Sequence, residues 1–163
     1  MHSNIEFYCS YPLCMALRKD GYNRWGDSYY TYAHMYNGKE IDFEKELDLK
    51  FEGKAKLIKR IPGKSICDHN ATNQELESYG DKKSCVRVSQ ACAMEWMRKK
   101  HKVHVAVDRV DGKGKNIWYA ELVDLKSPTR KVIAITPKVD SYEMAVEKAM
   151  MKYYKVRAPR KNK

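Results

Sequence analysis

Valine at every second position is the sequence feature that most constrains how this 163-residue chain can fold. Val103, Val105 and Val107 share one face of a β-strand, because successive side chains of a strand point to opposite sides. A glycine-containing turn at 111–114 then leads into a second alternating segment at 118–122. The pattern predicts an antiparallel sheet in the second half of the chain.

A capped helix is predicted on each side of this sheet. Ser89 is placed to cap a helix that ends in an Arg-Lys-Lys-His run, where cations suit the negative end of the helix dipole. A third strand is predicted over 131–136. A closing helix begins at Asp140, which has a glutamate three residues on, the spacing of a capping box. The pattern over residues 85–155 therefore predicts an α-β-β-β-α layer, with the helices on one face of a three-stranded antiparallel sheet.

The first part of the chain predicts a short helix followed by a tyrosine-rich hairpin. The helix spans 10–21, from a serine N-cap to a glycine stop. Residues 29–36 are rich in strand formers and meet Asn37-Gly38, the dipeptide that favours the type I′ turn of a tight hairpin.

Residues 43–61 admit two interpretations. Leu47, Leu49 and Phe51 alternate with charged residues as in a strand, whereas the acidic and basic residues between them would also suit an exposed helix. The strand is the favoured interpretation.

Four segments and an α+β fold class follow from these patterns. Residues 1–61 form a module of a short helix and a small antiparallel sheet built on the tyrosine-rich hairpin. Residues 62–84 are polar and contain few large apolar side chains, which is typical of a linker. Residues 85–155 form the α-β-β-β-α module, and 156–163 form a basic tail.

The charge balance favours an anionic partner. Lysine and arginine total 32 against 21 acids, which gives a net charge of +11. Such a charge attracts the phosphate backbone of DNA or RNA, and it also attracts the acidic surface of a protein. Both classes of partner remain open at this point.

The sequence indicates a cytoplasmic protein without a membrane anchor. No apolar run approaches the roughly 20 residues that a membrane span needs, and the polar opening Met1-His2-Ser3-Asn4 does not resemble a signal peptide. Five cysteines, an odd and scattered number, fit reduced thiols better than a disulfide framework.

Two surfaces are candidates for binding a macromolecule. The first is a face of the hairpin whose rings could stack on bases or on a partner's side chains, or could simply cover the sheet. Its members are Tyr30, Tyr32, His34 and Tyr36. The second is a basic pole, able to contact phosphates or carboxylates. Its members are Arg98, Lys99, Lys100 and Lys102 with the tail cations Lys155, Arg157, Arg160 and Lys161. The strand turn adds Lys113 and Lys115.

Neither catalysis nor a cofactor is predicted. The sequence contains no nucleophile elbow, glycine-rich phosphate loop or paired carboxylates in their usual context. Cys67, His69 and Cys85 have ligand chemistry that suits zinc, but their spacing is not that of a zinc site. We therefore expect a non-enzymatic protein without a bound metal.

The helix, three strands and helix over 86–155 resemble the double-stranded-RNA-binding domain in element order. That family places lysines at the start of its last helix to contact phosphates. The corresponding residues here are Asp140, Ser141, Glu143 and Glu147. Their charge has the wrong sign, so the resemblance implies the layer without its usual mode of RNA binding.

The chain also resembles a family of small bacteriophage and prophage proteins. The resemblance is carried by 89–105, SQACAMEWMRKKHKVHV, by Trp118-Tyr119, by 140–149, DSYEMAVEKA, and by the helix and tyrosine-rich hairpin of 8–41. It implies a phage-encoded accessory protein that works in a bacterial host cell. Such a protein would bind a host or defence macromolecule stoichiometrically; the alternative is sequence-nonspecific binding of nucleic acid through phosphate contacts.

Overall fold

A computed structural model of the chain describes residues 7–110 and 116–156. Within them the fold is mixed α+β, which confirms the predicted class. The helices are α1 (Tyr11–Lys19), α2 (Phe43–Phe51), α3 (Asn73–Ser78), α4 (Gln90–Trp96) and α5 (Tyr142–Tyr154). The strands are β1 (Tyr29–Tyr36), β2 (Lys39–Glu40), β3 (Lys59–Cys67), β4 (Cys85–Val86), β5 (Val103–Val110), β6 (Ile117–Asp124) and β7 (Lys131–Ile135). They belong to two compact units, one made of the chain up to Tyr22 with the chain from Val88 onward, the other Asn23–Arg87.

The unit that contains both ends of the chain is built on the sheet β5-β6-β7. All neighbouring strands in it are antiparallel, as predicted, and the predicted turn at 111–114 lies outside the described residues. Helix α5 contacts all three strands and buries four apolar side chains. Val103 and Val105 of β5 are buried as well, so the period of two has placed them in the core.

Helix α1 belongs to this unit because it is bonded to the last helix. The Ser10 amide donates to Glu147 Oε1 of α5 at 3.1 Å, and the Ser10 hydroxyl donates to the same oxygen. Glu147 thus holds Ser10, the residue just before α1, and a carboxylate there suits the positive end of the helix dipole. The Cys9 amide also donates to the Val88 carbonyl at 2.8 Å. The predicted module 1–61 is therefore divided between the two units.

The second unit is organised around β1, the central strand of a small antiparallel sheet. Strand β3 pairs along one side of it, while β2 and β4 pair with its two ends. Asn37 and Gly38 have φ of 49° and 75°, as a type I′ turn requires, so the predicted hairpin is confirmed.

Helix α2 occupies the segment for which the alternating apolar residues favoured a strand, and that prediction was wrong. The Asp42 carboxylate accepts a hydrogen bond from the Lys45 amide at 2.8 Å and caps the first turn. Gly53, with φ of 75°, ends the helix in a left-handed turn. Of the alternating apolar residues only Leu49 is buried. Capping at both ends outweighs the period of two in this segment.

The predicted linker 62–84 contains the end of β3 and the whole of α3. Thr72 caps α3 through its side chain, and Gly80, with φ of 76°, follows its C-terminus. Leu76 enters a small core against which Tyr29 packs. The segment looks like a linker in sequence because a short helix with few buried side chains leaves most of its residues polar.

The flanking helices of the α-β-β-β-α layer are capped by serines. Ser89 accepts from the Cys92 amide at 3.2 Å, as predicted. The cap of α5 is Ser141, which accepts from the Met144 amide at 3.1 Å, and not Asp140. A hydroxyl one residue later serves the same role as the expected carboxylate.

Position 26 has no room for a side chain. Gly26 exchanges two backbone hydrogen bonds with Ala71, and a Cβ atom at Gly26 would lie 2.2 Å from Val86 Cγ1. We expect Gly26→Ala to lower the free energy of unfolding by about 1–3 kcal/mol, measured by urea denaturation. Val86→Ala removes the clashing methyl, so the double variant should lose less than the sum of the single losses. Additive losses would contradict the clash.

Candidate macromolecule-binding site

Three helix C-termini meet in the unit that contains both chain ends. Helix α1 is followed by Asp20, α4 continues into a π-helical turn, Met97–His101, and α5 ends at Tyr154. The rings of His101 and Tyr154 lie 6.2 Å apart, and Asp20 is bonded to both residues. Basic residues collect here because each helix carries them in its last turn, where they suit the negative end of the dipole.

The Asp20 carboxylate is the centre of this junction. Its Oδ2 accepts hydrogen bonds from the Trp96 indole at 2.9 Å and from the Tyr154 hydroxyl at 2.8 Å. The same oxygen lies 2.5 Å from Nε2 of His101. Its Oδ1 lies 3.2 Å from Lys100 Nζ, which also stands 5.0 Å from the centre of the Trp96 ring. One carboxylate therefore joins all three helix ends.

The surroundings keep Asp20 ionised. Burial opposes its charged form, but hydrogen bonds from His101, Trp96, Tyr154 and Lys100 outweigh burial and lower the pKa of Asp20 from 3.8 to about 2. Burial, assisted by the Asp20 carboxylate, raises the pKa of Tyr154. Asp20 is thus a structural anion whose charge is used inside the protein.

The described cations of the basic pole differ in their partners. Lys100 is paired with Asp20, and Lys99 Nζ lies 2.5 Å from Glu95 Oε1 one turn earlier. The others make no ion pair within residues 7–110 and 116–156: they are Arg98, Lys102 and Lys155. Lys102 follows His101 directly in the chain and Lys155 follows Tyr154, and both lysines are exposed.

Two of these lysines occupy backbone positions that favour glycine. Lys102 and Lys155 both have φ of 55°, in the left-handed region. The residues with positive φ after α1, α2 and α3 are glycines, Gly21, Gly53 and Gly80. A residue with a Cβ costs about 1 kcal/mol or more in this conformation. Cations are therefore held at the pole at a cost to stability, beside a π-helical turn of a kind that often marks functional sites.

The tyrosine face of the hairpin makes contacts within its own unit. His34 Nδ1 lies 2.5 Å from Glu46 Oε2 of α2, and the Arg87 guanidinium lies 5.7 Å from the centre of the Tyr30 ring. Tyr30, Tyr32 and Tyr36 are all half-buried. These contacts favour the interpretation in which the rings cover the sheet.

The remaining predicted residues are not part of the Asp20 junction as the structure describes it. Five of them lie outside the described residues: Lys113, Lys115, Arg157, Arg160 and Lys161. Within the described residues no three His, Cys, Asp or Glu side chains are arranged to hold a metal ion. Cys67 is half-buried, His69 is exposed and Cys85 is buried.

No helix among the described residues is long and apolar enough to cross a lipid bilayer.

Sequence reasoning missed the residues that assemble the pole, above all Asp20. A carboxylate next to the last turn of a helix faces the negative end of the dipole, which is unfavourable unless cations or donors surround it. Asp20 follows Lys19 directly at the end of α1, and an acid at this position was the sequence signal that could have indicated a cluster of cations and donors around it. Tyr153 and Tyr154 carried no such signal, since an amphipathic helix often ends in aromatic residues.

Comparisons of the chain with models of known protein families, with curated proteins and with solved structures find no match. The described part of the pole combines cations with half-buried aromatic rings, and the acid at its centre, Asp20, is already paired with internal partners.

The Asp20 junction predicts a specific loss of stability in acid. The pKa of Asp20 is lower in the folded chain than its ordinary value of 3.8, so the stabilisation is fully present above that pH and disappears as pH falls toward about 2. Asp20→Asn should cost about 2 kcal/mol of unfolding free energy at pH 6 and flatten the profile over this interval. Urea denaturation at stepped pH measures both effects.

Asp68→Asn is the matched control, since Asp68 is an exposed aspartate of the other unit. It should change the unfolding free energy by less than about 0.5 kcal/mol. Equal losses in the two variants would contradict a central role for Asp20.

Proposed function

We propose that this is a non-enzymatic, phage-type accessory protein that acts in the cytoplasm of a bacterial host and binds one host or defence macromolecule stoichiometrically. The observation that carries the proposal is the pair Lys102 and Lys155, two cations that have no ion-pair partner among the described residues and whose backbone conformations favour glycine. A purely structural helix end would use glycine there, as after α1, α2 and α3. Binding an anionic surface supplies a reason to keep lysine.

A protein with an acidic surface is the favoured partner. Protein interfaces are enriched in aromatic residues, and the pole sets Lys100 over the Trp96 ring and His101 beside the rings of Tyr153 and Tyr154. The net charge of +11 would steer an acidic partner toward the chain and speed its association.

Nucleic acid is the second candidate, because the same cations could contact phosphates. The start of α5, which a double-stranded-RNA-binding domain would use, is less suited to this role. Glu143 lies in its first turn, and Glu147 is already engaged with Ser10. Binding in this second case would involve phosphate contacts at the pole without reading of bases.

Replacing Lys102 and Lys155 by glycine separates a binding role from a structural one. Glycine adopts φ of 55° without penalty, so the double variant should be no less stable than the parent. Its free energy of unfolding should rise by up to about 2 kcal/mol. Its binding should nevertheless weaken, because two fixed cations are lost. Thermal denaturation measures the first effect, and affinity capture from nuclease-treated host lysate, with the tagged chain as bait, measures the second.

The matched control removes two exposed lysines elsewhere, Lys82→Ala with Lys126→Ala. One host protein retained in a fixed ratio by the parent and by this control, but lost from the glycine variant, is the expected result. Equal retention by all three baits would refute a role for the pole.

A salt titration separates the two candidate partners. Nuclease-treated protein is mixed with labelled duplex DNA and duplex RNA at about 50 and about 200 mM salt, and binding is followed by fluorescence anisotropy. The favoured function predicts little binding at the higher salt. Tight binding that falls steeply with salt, and is lost with the two lysines, would replace it with the nucleic-acid function.

A further inference from the structure

Helix α2 exposes a stripe of large apolar side chains. Phe43, Leu47 and Phe51 follow one another at intervals of four and so lie along one side of the helix. Their exposed fractions are 72%, 48% and 96%. Leu57, in the short 3-10 turn after the helix, is 58% exposed. The helix is held to its own unit by another side, which buries Leu49.

An acidic row runs beside this stripe. Glu44 and Asp48 of α2, and Glu52 at its C-cap, each follow a stripe residue by one position, so they form a line beside the stripe, and all three are exposed. Only Glu52 has an ion-pair partner within the described residues, Lys54 at 3.2 Å. The row is negative in a chain whose net charge is +11. The negative charge of the row is therefore a feature of this helix and not of the chain as a whole.

The grouping distinguishes this surface from ordinary exposed apolar residues. Single exposed leucines are common on proteins and need no explanation. Here two phenylalanines and a leucine are aligned over roughly 12 Å of helix, and the burial of such side chains would release water from several hundred Å² of apolar surface. Contiguous apolar surface with a polar rim is typical of a protein-binding site.

We propose that this α2 surface, the apolar stripe with its acidic row, binds an amphipathic helical segment of a partner protein. The segment has an apolar ridge to cover the stripe and lysine or arginine on the flank that meets the acidic row. Recognition of this kind uses anchors at helical spacing, and the charges fix its orientation. The surface belongs to the Asn23–Arg87 unit and has the opposite charge from the basic pole, so it does not depend on the proposed function.

A second copy of the chain fits this surface less well. In an antiparallel two-fold pair of α2 helices, the acidic row of one copy would face the row of the other, and like charges repel. The net charge of +11 on each copy opposes association further. An anionic membrane is also disfavoured, because the row would meet lipid phosphates.

Two synthetic helical peptides of about five turns test the proposal. They share the same apolar positions and differ only in flank, lysine in one and glutamate in the other. Fluorescence anisotropy with the full chain should show the lysine peptide binding at least about tenfold tighter. The net charge of the chain alone predicts the reverse order. Preference for the glutamate peptide would therefore overturn the proposal.

Variants locate the binding on α2. Phe43→Ser with Phe51→Ser should weaken binding of the lysine peptide at least about tenfold, and Glu44→Gln with Asp48→Asn should narrow the preference between the peptides. The control is Tyr79→Ser, an 85% exposed aromatic of the same unit, which should leave the affinity unchanged. Circular dichroism checks that each variant keeps its helix content.

Two further outcomes are decisive. A dimer of the parent that becomes monomeric on Phe51→Ser, seen by sedimentation, would make a second copy the occupant and refute the proposal. The lysine-to-glycine variant of the basic pole should bind the lysine peptide as the parent does, which shows that the two surfaces act separately. Loss of peptide binding in that variant would also refute it.

Discussion

The hydrogen-bonded carboxylate of Asp20 is the feature on which the architecture of the larger unit depends. Three helices end at one point, and each brings the negative end of its dipole and a group of cations. The negative ends of the three dipoles alone would repel a carboxylate placed among them. Hydrogen bonds from an indole, a phenol and an ammonium group, with an imidazole alongside, reverse that balance and keep the charge. The positions of the neighbouring lysines follow from this junction.

Local signals account for the parts of the fold that the sequence predicted. The alternating valines of β5, the Asn37-Gly38 turn and the serine cap at Ser89 each act within a few residues, and each is present in the structure. Helix α2 shows the limit of such signals. The segment has both an apolar period of two and the caps of a helix, and the caps at its two ends outweigh the alternation.

The candidate site was predictable in its cations and not in its assembly. A run of basic residues at the end of α4 is visible in the sequence, whereas the meeting of α1 and α5 at that end depends on hydrogen bonds of Asp20 to residues 76 to 134 positions away. The same holds for charge. A net value of +11 describes the chain as a whole, yet α2 carries an acidic row while the described part of the pole carries lysines without an acidic partner there. Averages over a sequence conceal surfaces of opposite sign.

The bond between Ser10 and Glu147 joins residues that are 137 positions apart. The unit Asn23–Arg87 is therefore an insertion within the other unit, between its first helix and the rest. On a ribosome, which releases the chain from its N-terminus, the inserted unit is complete while the outer one still lacks its sheet and last helix. Until Glu147 emerges, the Ser10 amide just before α1 lacks its carboxylate acceptor. The order of synthesis thus makes the interrupted unit close after the inserted one, and its basic pole takes shape only once α5 has been made.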